Sequence, residues 1–446
     1  MDPDRQGMHA RWLAWIPLLV FLAAFLGQWP LVANPGYFSH DELQWAAYAG
    51  MRPVPWVSWT DVHVFQYRPL TFNLWLLLSR WLFVQPVAFH ALMVAWGAAN
   101  AALACAVGRR FGMGASTAAA GALLFALGPF ATYTDGWVGT IGDLAWLSCA
   151  LLAGLCALRW PRPSASAIAA AAFTALGLLA KEAAISIPAL LALAWWFDGR
   201  KRHWLMATLA SSLVALAYLA LRSDALLHAA REGTQYTVSA THVPRRWLEY
   251  QLFLFVPKTF ETSGTLAFGI NRYVVEAGIL WLAMLAAIWR STPRVALLFL
   301  AIGIATLAPV LPLAGSANHY GYGFAAGSAM VAVAAWPRAR WWGRAILVAA
   351  ALACLWHGRF VIREMRRVGE VQAVFSPALE RALRDSHSGT LRLRPEPGAE
   401  SWIFSRLSVD AVEYEGMPIV PHVVLVPGDA VADFAIEPGG DLRPLH

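Results

Sequence analysis

The sequence predicts an all-α polytopic membrane protein of about 11 spans with a small α+β appendage at its C-terminal end. Three observations carry that expectation. The chain of 446 residues is 59% hydrophobic and only 14% charged, with a mean hydropathy of +0.51. A soluble domain of that size needs more charge to cover its surface. The apolar residues fall in blocks of about 18–25, long enough to cross a hydrocarbon core. The turns between the blocks alternate between basic and nearly free of Lys and Arg, as they do in a chain threaded through a bilayer.

Taken in order, the first block runs from Arg11 to about Ala33. It is long for the apolar region of a signal peptide and lacks a convincing small-x-small site at its end, so it reads as a retained span. By length and hydropathy the spans fall at about 11–31, 86–107, 113–130, 143–158, 164–180, 183–197, 204–221, 274–289, 295–313, 322–336 and 345–358. A cytoplasmic N-terminus puts Arg109-Arg110, Arg159/Arg162, Arg200-Lys201-Arg202, Arg290/Arg294 and Arg338/Arg340/Arg344 in the cytoplasmic turns. The opposite turns around 131–142 and 314–321 carry no Lys or Arg. The net charge of +7 therefore records topology and gives no argument for nucleic acid. Cys105, Cys149, Cys156 and Cys354 all sit inside apolar runs without a CxxC pair. They read as small core residues, with neither a disulfide framework nor a zinc site.

Two long loops face the outer side, 34–85 and 222–273. Each contains an apolar stretch broken by a charge, "RPLTFNLWLLLSRWLFVQ" and "RRWLEYQLFLFVPKTF", which reads as an interfacial helix and not as a span. After residue 358 the composition turns polar. A helix over "RFVIREMRRVGEVQAVFSPALERALRDS" and strands over "SWIFSRL" and "PIVPHVVLV" are expected. The domains are thus 1–358, transmembrane, and 359–446, a small extracytoplasmic unit that is periplasmic if the cell is a Gram-negative bacterium. The chain is expected in the inner (plasma) membrane.

Six polar constellations stand on the outer side or at its membrane boundary: His40-Asp41-Glu42, Tyr67-Arg68, Asp135 with Asp143, Lys181-Glu182, Arg245-Arg246 with Lys258, and His319-Tyr320 with Tyr322. The inner side shows only short basic turns, so function belongs to the outer face. Acids next to hydrocarbon are costly. Asp41 and Glu42 can take a hydroxyl proton or hold a divalent metal, and they can equally cap a helix over "ELQWAAYAG". Arg68 offers a planar fork suited to phosphate oxygens, or an interface charge. Lys181-Glu182 interrupts an apolar stretch and would meet an anion at the surface, or snorkel from a tight turn. Asp135 and Asp143 lie in a polar turn where Asp143 can also cap the next helix. His319 and Tyr320 lie in a glycine-rich turn, and no set of histidines has metal-ligand spacing. Together these groups suit a substrate with a lipid tail and an anionic head.

Several segments resemble a known family. "YRPLTFNLWLLLSRWLFVQPVAFHALMVAWGAANAALACAVGRRFG" (67–112), "AAAGALLFALGPFATYTDGWVGTIGDLAWL" (118–147), "LGLLAKEAAISIPALLAL" (176–193) and "NHYGYGFAAGS" (318–328) follow, in order, motifs of the TPR-containing protein O-mannosyltransferases and their bacterial relatives of the ArnT and PMT type. The acidic pair in "SHDELQW" is like that in the first loop of C-class (GT-C) glycosyltransferases. The resemblance covers roughly residues 10–336. The family's His-Pro is Gly128-Pro129 here, its late-turn Arg is His319, its Arg before Asp143 is missing, and no TPR array follows. The resemblance implies a GT-C-like fold and an inverting glycosyltransferase moving a sugar from a polyprenyl-phosphate donor to a glycan, lipid or protein acceptor at the outer face. It implies Asp41 as base and Glu42 as its assistant, with Asp135 or Asp143 as the second acid. Arg68, Lys181 and His319 would hold the lipid phosphate, Glu182 belongs to the same segment, and Tyr67, Trp137 and Tyr320 would lie against sugar faces. Some such enzymes use a divalent metal and others none.

Two other classes stay open on the sequence. A ligase or polymerase using a lipid diphosphate would put Arg245-Arg246 in the binding role. A transporter or membrane scaffold would need no catalytic acid. Transporter charges belong midway along spans in paired halves, whereas here they gather at the outer ends.

Overall fold

The computed structural model describes residues 15–228, 234–386 and 389–445, apart from 410, 412, 415 and 421. Fifteen helices of eight or more residues occur among the described residues: α1 Ile16–Gly27, α2 His40–Gly50, α3 Pro69–Leu82, α4 Pro86–Arg110, α5 Ala115–Ala126, α6 Pro129–Gly136, α7 Ile141–Arg159, α8 Pro163–Ala180, α9 Ile187–Phe197, α10 Arg202–His228, α11 Val243–Phe253, α12 Arg272–Ser291, α13 Pro293–Leu307, α14 Tyr322–Ala334 and α15 Trp341–Asp385. Proline opens many of them, where its missing N–H costs nothing and its fixed φ suits the first turn. Among the described residues six helices are long and apolar enough to cross a membrane: α4, α7 with its lead-in from Val138, α8, α10, α12 and α15. Helices α5 and α6, bent by 57° at their junction, make a seventh if counted as one broken span, and α1, α9 and α13 are shorter apolar helices. The protein is a helical, multi-pass membrane protein.

Each expected span coincides with a helix, except that residues 11–14 of the first lie outside the described residues. Both expected interfacial helices are present, as α3 and α11. Three features differ from the sequence reading. Helix α10 continues past residue 221 and carries Arg222 on its buried side. The last span and the polar helix after it are one 45-residue helix, α15. At 1.5 Å per residue that is roughly twice the thickness of a hydrocarbon core. Its second half therefore stands out of the membrane. The stretch "SWIFSRL" is helical, Ser401–Phe404 followed by a wider turn over Ser405–Val409, and not a strand. Ile403, Phe404 and Leu407 are all buried, a spacing that suits one face of a helix better than a pleat.

Beyond α15 a small mixed sheet forms in the order β4-β1-β5-β6, with β1 Leu391–Pro395, β4 Val423–Leu425, β5 Phe434–Ile436 and β6 Leu442–Pro444. Strand β1 runs parallel to both β4 and β5, and β6 returns antiparallel to β5. The hairpin β2 Glu413–Tyr414 with β3 Met417–Pro418 stands apart from that sheet. Leu391, Leu393 and Ile436 from the sheet share one core with Phe375 and Leu379 of α15. The appendage thus rests on the C-terminal half of α15, and its strand β2 and its 405–409 turn also contact α2. Inside the membrane, close helix approach depends on small residues. A Cβ on Gly97 of α4 would fall 2.2 Å from the Asp135 carboxylate, and one on Gly358 of α15 would fall 1.9 Å from the Leu127 carbonyl oxygen.

Candidate active site

The opening of α2 distinguishes its two acids. Ser39 is the N-cap, and its hydroxyl accepts from the Asp41 amide. Glu42, three residues on, turns back to accept the Ser39 and Phe38 amides at 2.7 and 2.9 Å. This is a capping box, which satisfies amides that the helix itself cannot. The other Glu42 oxygen accepts the Val138 amide at 3.1 Å, tying α2 to the lead-in of α7. Burial pushes the Glu42 carboxyl up to about 8, against the backbone N–H groups of Ser39, Val138 and Phe38. Asp41 caps nothing. Among the described residues its carboxylate pairs with the His40 ring alone, at 3.3 Å, and its side chain is 36% exposed. Of the two acids Asp41 is the one open to a reactant.

The cations gather on three neighbouring segments. Arg68 stands immediately before Pro69, at the start of α3, and its Nε donates to Glu182 at 2.7 Å. Lys181 ends α8 in an extended conformation and its Nζ lies 2.5 Å from Asp143 Oδ2. Asp143 sits in the first turn of α7, where the helix dipole favours an anion. Glu182 also faces Arg222, 3.7 Å away. Three cations, Arg68, Lys181 and Arg222, thus surround two carboxylates, Asp143 and Glu182, and one positive charge is left over. Burial lowers the Lys181 ammonium below its usual range, with Asp143 pulling it back up. Lys181 lies over the Tyr320 ring at 5.1 Å. His319 is wedged against Tyr320 at 4.3 Å and Trp137 at 5.3 Å. Its burial, then the charges of Lys181 and Arg68, hold it well below the ordinary histidine pKa, so it is neutral.

Among the described residues several polar atoms of this wall have no hydrogen-bond partner although they are shut from solvent: Asp143 Oδ1, His319 Nδ1 and Trp137 Nε1. Among the described residues Arg68 hydrogen-bonds through Nε alone, so both terminal nitrogens are free. A cluster with a spare positive charge, a free guanidinium fork and unsatisfied polar atoms has the chemistry to receive a polar, anionic group.

Of the residues singled out from the sequence, the structure joins Arg68, Asp143, Lys181, Glu182, His319 and Tyr320 in this cluster. Tyr67 joins through its ring, 5.4 Å from Arg222. Glu42 borders the cluster, since it accepts the Val138 amide and Trp137, next to Val138, meets His319; Asp41 precedes Glu42 in the first turn of α2. Asp135 stands apart. It is wholly buried, accepts from Gln28 Nε2 at 2.8 Å and from the Tyr322 hydroxyl at 3.3 Å, and belongs to a polar chain among the spans. Arg245 and Arg246 both pair with Glu249 of their own helix, and Arg246 also bonds Ser316 and the Leu313 and Ala314 carbonyls. Lys258 is exposed in a turn, at φ 61°. Among the described residues no three His, Cys, Asp or Glu side chains converge on a metal position.

The sequence reading missed Arg222. Its guanidinium is completely buried and donates to the carbonyls of Val62, Val64 and Phe65 and to the Tyr218 hydroxyl. It fastens the loop that delivers Tyr67 and Arg68. The available signal was Tyr218 four residues before it on an apolar run, one helical turn away on the same face.

No family model matches the chain, and no curated protein does. Among solved structures it is similar to the crystal structure of the Archaeoglobus fulgidus oligosaccharyltransferase tethered to an acceptor peptide containing the NVT sequon, at 13% identity and a TM-score of 0.43, over 88% of this chain and 63% of that one. It is also similar to the oligosaccharyltransferase AglB of the same organism in complex with an inhibitory peptide and a dolichol-phosphate, at 14% identity and a TM-score of 0.47, over 89% of this chain and 63% of that one. The chain thus spans under two thirds of the length of these two proteins.

Proposed function

We propose that the protein is an inverting glycosyltransferase of the GT-C class that moves a sugar from a polyprenyl-phosphate donor to an acceptor hydroxyl on the outer face of the membrane. The observation that carries the reading is the free guanidinium fork of Arg68 beside Lys181, in a half-buried cluster with one surplus positive charge. Such a cluster attracts an anion delivered at membrane depth, which suits a lipid phosphate better than a soluble donor. The ordered motifs over residues 67–328 support the same chemistry.

In this reading Asp41 takes the proton of the acceptor hydroxyl as its oxygen attacks the anomeric carbon. The bond between that carbon and the phosphate oxygen breaks, and its electron pair leaves on the lipid phosphate. Arg68 and Lys181 meet the growing charge, so their contacts strengthen towards the transition state. Neutral His319 offers a hydrogen bond and no charge. Glu42 holds the helix start that aims Asp41. Asp143 and Glu182 keep Lys181 and Arg68 in place. The acceptor arrives from water past the exposed side of Asp41, and the donor arrives from the bilayer. A divalent metal, if one takes part, would draw on Asp41.

The test compares wild type, Asp41→Asn and Arg68→Met in a deletion strain, with envelope glycolipids and glycopolymers weighed by mass spectrometry. A hexose- or pentose-sized loss in the deletion strain, restored by wild type and by neither variant at equal protein abundance, supports the transfer. Full restoration by Asp41→Asn removes Asp41 as base. No change of any glycan in the deletion strain turns the reading to transport or scaffolding.

A further inference from the structure

The C-terminal domain meets the segment that opens α2 at Arg406, and its strand β2 packs on α2 itself. Arg406 projects from the turn Ser405–Val409, which is anchored by buried Leu407 and by Phe404 against Phe375 of α15. Its guanidinium lies 4.4 Å from the Phe38 ring centroid, with Trp402 at 5.7 Å. Its Nη2 donates to Glu261 at 3.0 Å, and the same Glu261 oxygen accepts the Tyr133 hydroxyl at 3.3 Å. One charge pair thus joins the C-terminal domain, the second outer loop and α6. Phe38 is the residue whose amide begins the Glu42 capping box, and its ring also meets Trp137 at 5.6 Å. Among the described residues Arg406 Nη1 is buried without a hydrogen-bond partner. A buried donor left unsatisfied is a cost. A contact serving packing alone is met more cheaply by an apolar side chain. The flat cation between rings is a geometry that guanidinium fills and ammonium does not.

We propose that Arg406 is a positioning residue through which the C-terminal domain fixes the segment Phe38–Glu42 and so aims Asp41; the catalytic consequence rests on the glycosyltransferase reading above. Arg406 presses on Phe38, Phe38 holds the Glu42 carboxylate through its amide, and Glu42 sets the first turn of α2. Strand β2 packs on the same helix, so the domain braces α2 from two points.

The test is hydrogen–deuterium exchange of the full chain in nanodiscs. Arg406→Leu is expected to speed exchange of the Phe38 and Ser39 amides by about tenfold, and amides of α12 to stay unchanged. Phe38→Leu should do the same, and the double variant no more than either single one. Unchanged exchange at 38–39, or additive effects in the double variant, overturns the proposal. If Arg406→Leu loosens the whole C-terminal domain, Glu261→Gln decides. It releases Arg406 without touching that domain's core, and it must reproduce the local effect for the proposal to stand. In glycan transfer Arg406→Leu should lower kcat with the donor KM unchanged. A rise in KM alone overturns the positioning role. Exchange is measured without any substrate, so failure of the brace and failure of the glycosyltransferase reading are told apart.

Discussion

Lys181 Nζ lies 2.5 Å from Asp143 Oδ2, with the two side chains 6% and 2% exposed, where α8 ends and α7 begins. A charge pair this dry needs both members. Removing one strands the other, at a cost of about 3–5 kcal/mol, whereas replacing both with apolar groups is often close to neutral. Lys181→Met and Asp143→Asn should each lower stability by roughly that much. The double variant Lys181→Met/Asp143→Leu should recover most of it. If Lys181 also receives the phosphate, the double variant is stable and inactive. Thermal unfolding in detergent and glycan analysis of the same preparations check both halves. Transfer restored by the double variant would remove Lys181 from the phosphate site.

Arg222 makes a second prediction. Its hydrogen bonds run to the loop ahead of Arg68 and to Tyr218, and its guanidinium also faces Glu182 at 3.7 Å, so it holds the segment that carries Arg68 from behind. Arg222→Lys keeps the charge and loses the fork that spans the Val64 and Phe65 carbonyls. Unpairing buried polar groups costs about 1–3 kcal/mol each. The variant should unfold at lower temperature, become cleavable by protease around residues 60–66, and lose transfer at least tenfold. An intact loop with full activity would show that the Arg68 position does not depend on this clamp.

The adjacent acids of α2 should behave differently. Glu42→Ala removes three amide acceptors at once, including the reciprocal half of a capping box, and should cost about 1–2 kcal/mol or more. Asp41→Asn removes the contact with His40, a first-turn charge and a repulsion on Glu42, small terms of opposite sign, and should leave the unfolding temperature nearly unchanged. Loss of transfer in a fully stable Asp41→Asn is the outcome expected of a base. Equal destabilisation by both substitutions would mean that Asp41 also serves the helix start.

How much of this was legible in the chain depends on how local the cause is. Span positions and the two apolar stretches of the long loops follow from hydropathy and charge within a window of residues, and each of them met a helix. The cationic cluster could be assembled as a set, because Arg68, Lys181 and His319 each break an apolar neighbourhood. Its pairing could not. Asp135 and Asp143 stand eight positions apart in one polar turn, and only the packing of α8 against α7 gives Lys181 to Asp143 and leaves Asp135 to Gln28 and Tyr322. Arg222 reaches carbonyls 157 to 160 residues earlier, and Arg406 reaches Glu261 across 145. No local periodicity encodes such contacts. The continuous α15 was hidden for another reason, since a change from apolar to polar composition looks like a boundary even when the backbone does not break.

The last prediction concerns pH. An unfolded histidine takes up its proton near pH 6.5. In the fold, burial and then the charges of Lys181 and Arg68 hold His319 well below that value. Between the two pKa values the unfolded chain binds a proton that the folded protein refuses, so stability rises with pH there. The His319 contribution is complete above about pH 6.5 and is lost as the solution is acidified below it. His319→Asn keeps a polar side chain without the titration. Its unfolding temperature should fall less between pH 6.5 and 5 than that of wild type, and the two curves should run parallel above pH 7. Transfer by wild type should show no limb near pH 6.5 from this residue, because a group that stays neutral has no charge to lose. Superimposable acid limbs for wild type and variant would mean that His319 is not held neutral, and its place between Trp137 and Tyr320 would then add a fourth cation to the cluster.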